Sequence, residues 1–229
     1  MENKKANELN SENHTLFIKH VPERKITLDR SQNIVKITPK HKVYVIYIER
    51  FKELKRGLHS VLNELRSATK YDKLEIRINS GGGFINEGGQ FYNIINELFY
   101  KRSTAYLDNH GYSMGALLFC MAKKRVIYPY SDLMFHNYTS GANGKGGEIL
   151  SKVSHKDKII KKFFYNVIVK NGFLTKDEFE QMLIGQDFWM DAKELCERGI
   201  ATHVIYKGKM IKSKKYLNIL KKPDKKANS

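Results

Sequence analysis

The sequence predicts an α/β domain whose parallel strands are joined by right-handed crossovers. Three observations predict it. Short β-branched and aromatic runs alternate with segments whose apolar residues recur at helical spacing. Glycine-rich turns follow two of the strand-like runs, at 79–83 and 110–115. A hydrophobic fraction of 41%, with 13 Tyr and 12 Phe in 229 residues, supplies apolar material for one sizeable core.

The elements follow in order. Residues 1–40 are polar, with only short apolar pieces at 16–18 and 34–35. They read as an extension that is partly flexible or orders against a partner or a neighbouring subunit. Val43-Tyr44-Val45-Ile46-Tyr47-Ile48 is a buried strand. Leu54, Leu58, Val61, Leu62 and Leu65 predict an amphipathic helix over 53–67. Leu74, Ile76 and Ile78 mark a second strand, and Phe91, Ile94, Ile95 and Leu98 a helix over 86–100. A short strand over 104–107 leads to the Ser113 turn and an apolar helix after it. Strands are expected at 125–128 and 133–135, then a flexible glycine-rich loop over 140–147. A long helix over 148–171 carries Ile149, Val153, Ile160, Phe163, Phe164 and Val167 on its apolar side. Thr175 with Glu178 three residues on is a capping-box pattern for a helix over 175–184. A short helix over 192–198, ended by Gly199, precedes a last strand over 200–206. Residues 207–229, with clustered lysines and a break at Pro223, read as a solvated basic tail. The organisation is thus an N-terminal extension (1–40), one domain (41–206) and a tail (207–229).

The formal net charge is +17. It is spread along the chain and dominated by Lys, whereas phosphate-clamping and base-reading surfaces favour Arg. Nucleic acid is therefore not expected as the main partner. Cys120 and Cys196 stand far apart in apolar or helical contexts, which is neither a disulfide framework nor a zinc pattern. The start of the chain shows no apolar h-region, and the apolar runs are too short to span a bilayer. A cytoplasmic location without membrane attachment is expected.

The chemistry centres on His110-Gly111-Tyr112-Ser113-Met114-Gly115-Ala116, where a polar turn becomes an apolar helix. A serine hydroxyl at a helix N-terminus has unpaired N–H groups beside it, ready for an oxyanion. The same placement also suits a plain N-cap serine. For a base, His136 directly follows the strand at 133–135, while His110 shares the serine's own turn and His203 lies in the last strand. For an orienting acid, Asp187 precedes two aromatics, so apolar surroundings and a histidine partner are expected. Asp191 is more simply the N-cap of the short helix after it. Ser80-Gly81-Gly82-Gly83 could be a flexible connection or could present backbone N–H donors as half of an oxyanion hole.

Four segments in order resemble the Clp peptidase family, over about residues 42–206. Ile76-Arg77-Ile78-Asn79-Ser80-Gly81-Gly82-Gly83 with Gly88 is similar to that family's I-N-S-P-G-G-x-x-x-x-G turn. Residues 111–116 are similar to its nucleophile segment ending A-S-M-G-A, and Leu133-Met134-Phe135-His136 to its M-I-H segment. Residues 186–192 through Gly199-Ile200 are similar to R-D-x-F-M-S-A-x-E-A-x-x-Y-G-L-I-D. The resemblance implies a crotonase-like spiral of parallel-sheet ββα units with a protruding handle helix. It implies Ser113 as nucleophile, His136 as general base and Asp187 as orienting acid. The Gly83 and Met114 backbone N–H groups would form the oxyanion hole. It further implies stacked homo-oligomeric rings enclosing unfolded polypeptide, a partner AAA+ unfoldase that uses the ATP, and no metal or organic cofactor. No phosphate-binding G-x-x-x-x-G-K-[ST] loop is present in the chain itself. The family's proline is Gly81 here, and its Gln-Pro after the histidine is Asn137-Tyr138.

Other readings stay open on the sequence. The same fold serves as a head-maturation protease in bacteriophages. An α/β-hydrolase esterase would use the same serine elbow but, by its chain order, His203 as base. A non-enzymatic scaffold, as an inactive ring partner or a capsid-assembly component, would leave Ser113 unreactive.

Overall fold

The computed structural model describes residues 41–49 and 56–221, with side chains from residue 59 onward in the second span, and the backbone of four short strands before residue 41. Those four are β1 (Glu8–Ser11), β2 (His14–His20), β3 (Ile26–Asp29) and β4 (Ile34–Ile37). The extension is thus not merely polar linker: β2 lies antiparallel against the first strand of the domain, and β1 against β2. Strands β3 and β4 pair only with each other among the described residues.

The central strands are β5 (Lys42–Ile48), β6 (Lys73–Ser80), β7 (Ser103–Tyr112) and β8 (Lys124–Ile127). All four are mutually parallel in that order. Crossovers run through α1 (Arg56–Arg66), α2 (Ile85–Leu98) and α3 (Met114–Met121). Parallel strands covered on both faces read as near-continuous apolar runs, and β5 does so. Tyr44, Ile46, Ile48, Leu74, Ile76 and Ile78 are all essentially inaccessible. Val61, Leu62 and Leu65 supply the buried stripe of α1, and Phe91, Ile94 and Ile95 that of α2. The expected Leu54 lies outside the described residues, as does the Leu58 side chain.

Strand β7 is much longer than the expected 104–107, and its length shapes the site. Its first half pairs with β8 through residues 104–107. Its second half pairs with β9 (Asp132–Phe135) through residues 110–112. The sheet therefore forks at β7. On the β9 side it continues into β10 (Phe188–Met190), antiparallel, a short strand the sequence did not announce. On the β8 side it continues into β11 (His203–Tyr206) and β12 (Lys209–Lys212).

The remaining helices are α4 (Gly146–Ile168), α5 (Lys176–Leu183), α6 (Ala192–Glu197) and α7 (Ser213–Leu220). Helix α5 has the expected reciprocal cap between Thr175 and Glu178. Two expectations need correction. Residues 209–220 are not a solvated tail: β12 closes on β11, and α7 buries Tyr216 at 4% exposure beside Tyr206. Three apolar residues among the lysines, Ile211, Tyr216 and Leu217, suffice to seat this hairpin and helix on the core. The apolar side expected on α4 is buried only in its last turns, at Phe164, Val167 and Ile168. Val153 and Leu150, three turns and more earlier, are exposed by 43% and 70%. No helix among the described residues is long and apolar enough to cross a membrane.

Candidate active site

The site is built where the fork in the sheet brings two glycine turns together. Strand β6 ends at Ser80, whose register partner on β7 is Gly111, after an irregularity in the ladder. Beyond Ser80 the chain turns through Gly82 and Gly83, at φ of 100° and 143°, conformations that side chains resist. A Cβ on Gly82 would lie 2.7 Å from the Ser113 Cβ and 3.0 Å from the Tyr112 carbonyl oxygen. The approach is reciprocal, since a Cβ on Gly115 would meet the Ser80 Cβ at 3.1 Å. The glycines thus let the two turns touch backbone to backbone.

Ser113 itself has φ 55° and ψ −121°, one of two non-glycine residues at positive φ among the described residues. Such strain persists only where the surroundings impose it, and it collects at functional sites. The plain N-cap explanation fails here. The Ser113 side chain makes no capping hydrogen bond to α3, so its hydroxyl is not used in holding the helix. Its backbone N–H donates to the Met134 carbonyl at 3.0 Å, which fixes the turn against β9.

That same bond places His136 two residues beyond Met134, just past the end of β9. His136 and Ser113 both line a cavity of about 670 Å³, together with Gly83 and Met114. The antiparallel register of β9 and β10 pairs Phe135 with Phe188. Continued by one residue, it sets Asp187 opposite His136. Backbone pairing alone therefore brings the segments of Ser113, His136 and Asp187 side by side, although they are distant in sequence. Their side chains are not hydrogen-bonded to one another.

Asp187 departs from expectation. It is exposed rather than enclosed by apolar neighbours, and it does not line the cavity. The physical reason is local: Gly185, at φ 111°, turns the chain out after α5, and Trp189 on the adjoining strand is itself 56% exposed. Asp191 caps α6, accepting from the Glu194 N–H at 2.8 Å. His203 is elsewhere, on β11, in register with Val126 and Lys212 and hydrogen-bonded to Thr202. Burial, with the Lys124 and Lys212 ammoniums, pushes its imidazole below the usual histidine range. It does not line the serine's cavity, so an α/β-hydrolase arrangement is not present. His110 stacks at 4.7 Å on Tyr112 and also stays out of that cavity. Cys120 and Cys196 are buried free thiols, and burial pushes that of Cys120 up to about 12.

Several residues of the site were not legible in the sequence. The Asn137 carboxamide donates to the Leu183 carbonyl at 2.8 Å, tying the segment after His136 to the end of α5, from which the chain runs to Asp187. The Tyr138 hydroxyl donates to Asp157 on α4 at 2.7 Å, and this bond drives the phenol up to about 12. Asn137 and Tyr138, odd as motif residues, thus clamp the histidine segment between two helices. Helix α4 also supplies one wall of the cavity, with Ile160 and Phe164 at its base. Amphipathic spacing marked those two as apolar, but no local signal says that they face Ser113.

The comparisons with known proteins agree with this architecture. The family model described as Clp protease matches residues 28–208. A curated relative, ATP-dependent Clp protease proteolytic subunit 2 of Chlamydia trachomatis serovar D, is 28% identical over 190 residues. That alignment covers 81% of this chain and 91% of the relative.

Proposed function

Because this chain belongs to the Clp protease family, we propose that it is a serine endopeptidase in which Ser113 attacks the scissile carbonyl of an unfolded polypeptide. The observation that carries this reading is the backbone of Ser113, strained at φ 55° with its hydroxyl unused by the helix it heads. His136 is the general base that takes the hydroxyl proton and returns it to the leaving amine. The Gly83 and Met114 N–H groups receive the oxyanion of the tetrahedral intermediate. Asp187 orients the imidazole from the paired strand. Water then resolves the acyl-enzyme with His136 again as base.

Adjacency of β7, β9 and β10 in one sheet supports this reading, since their ends carry or adjoin the three residues. Catalytic hydrogen bonds commonly tighten when substrate binds. The exposure of Asp187 and Trp189 and of the first turns of α4 fits a subunit completed by neighbours in an oligomeric ring, with α4 as the contact between stacked rings. An AAA+ unfoldase would deliver the polypeptide and use the ATP.

The test is hydrolysis of an unfolded protein, together with labelling by a fluorophosphonate. Ser113→Ala is expected to lose both, with a fall in turnover of about 10⁴-fold or more. His136→Ala should match it in turnover, while His203→Ala should not. A wild-type assembly whose Ser113 resists the probe and which leaves the polypeptide intact would instead be a non-catalytic scaffold.

A further inference from the structure

The cavity beside Ser113 has two chemically distinct parts. Its buried lining is apolar, with Met114 and Phe164 only 1% and 5% exposed and Ile160 half-buried, and apolar lining continues to the exposed Phe84 and Ile159. Its rim on α4 carries His155 and Lys156, both exposed to solvent. No aspartate or glutamate lines it among the described residues. Asp157, next in the chain to Lys156, is held by the Tyr138 hydroxyl at 2.7 Å and by Lys161 at 2.8 Å. It therefore does not neutralise the rim. Lys156 has no ion pair of its own among the described residues.

We propose that this cleft selects polypeptide segments that pair an apolar side chain, seated on Ile160 and Phe164, with a carboxylate on a neighbouring residue, drawn to Lys156 and His155. The proposal rests on Ser113 being the nucleophile and names what is presented to it. A cation over an apolar wall attracts an opposite charge more strongly than one in open water, because the wall excludes solvent on one side. A basic neighbour on the substrate is repelled by the same charges, so the site discriminates by rejection as well as attraction. Lysine suits this role because its long flexible stem lets the ammonium follow carboxylates at slightly different positions.

The experiment uses the full-length assembly and three internally quenched peptides that share one leucine and differ at one adjacent position, Glu, Gln or Lys. Binding is read by anisotropy on Ser113→Ala, and cleavage on the wild type. Affinity should fall in the order Glu, Gln, Lys, by about fivefold or more across the series at low salt. The spread should narrow at high ionic strength, as screening predicts. Lys156→Glu should invert the order, and Lys156→Gln should flatten it. Equal binding of the three peptides, or an order unchanged by Lys156→Glu, would overturn the proposal. The two readings fail separately: a binding order on Ser113→Ala without any wild-type cleavage supports the cleft and sinks the peptidase. Cleavage without a binding order does the opposite.

Discussion

A single backbone dihedral sets Ser113 apart from a capping serine. At an ordinary N-cap the residue is extended and its oxygen accepts from the helix, as Thr175 and Asp191 do elsewhere in this chain. Ser113 does neither, because the Tyr112–Met114 turn is pressed between Gly82 and the Met134 carbonyl. The two glycines before it therefore differ sharply in what they tolerate. Gly82→Ala puts a Cβ into Ser113 at a φ that side chains avoid. It should destabilise by more than about 1 kcal/mol and cut turnover at least tenfold. Gly81 is not at positive φ, and a Cβ there meets nothing within 4 Å. Gly81→Ala should raise stability by roughly 0.4–1 kcal/mol in a denaturant titration. The glycine that replaces the family's proline is thus the one without a steric reason to be glycine.

Among the elements, the α5–α6 pair brackets the segment carrying Asp187. Its clamp is Arg198, which donates to Glu178 at 2.8 Å and 3.0 Å and to Glu194 at 2.9 Å. The guanidinium holds the Glu178 carboxyl at about 2, below its ordinary 4.5. A carboxylate pKa lowered by folding means that the pair contributes fully above pH 4.5 and is lost as pH falls toward 2. Melting temperature should therefore drop on acidification through that window, and more gently in Glu178→Gln than in wild type. At the other edge of the sheet, α7 lies beyond the span matched by the family model, yet buries Tyr216. Tyr216→Ala should cost about 3 kcal/mol in a chemical unfolding curve. A solvated tail would show no change.

At the scale of the whole molecule, α4 is a 23-residue helix buried only near its C-terminus. The exposed Leu150 and Val153 continue the apolar stripe that further along seats Ile160 and Phe164. A stripe left uncovered in one chain invites a second copy. Under the proposed assembly of stacked rings, glutamates at both Leu150 and Val153 should separate it into single rings, seen as a halved mass by native mass spectrometry. The fold around Ser113 would be unchanged, since neither residue lines that cavity.

The amino-acid sequence determined the order of the elements from β5 to β11, β10 excepted, and the serine turn around which they are arranged. Apolar periodicity and glycine placement are local properties, and they survive being read one residue after another. Motif order added the family, because four spaced segments constrain one another more than any one alone. Tertiary structure decided the rest. The fork at β7 puts β9 and β10 beside Ser113, and a strand's pairing partner is a long-range property that its own residues do not encode. Likewise β10 and β12 were too short for their alternation to stand out. The lysines around Ile211, Tyr216 and Leu217 hid a folded hairpin and helix. The aromatic neighbours of Asp187 predict an enclosed carboxylate, but burial depends on what the chain packs against, and there the chain faces outward.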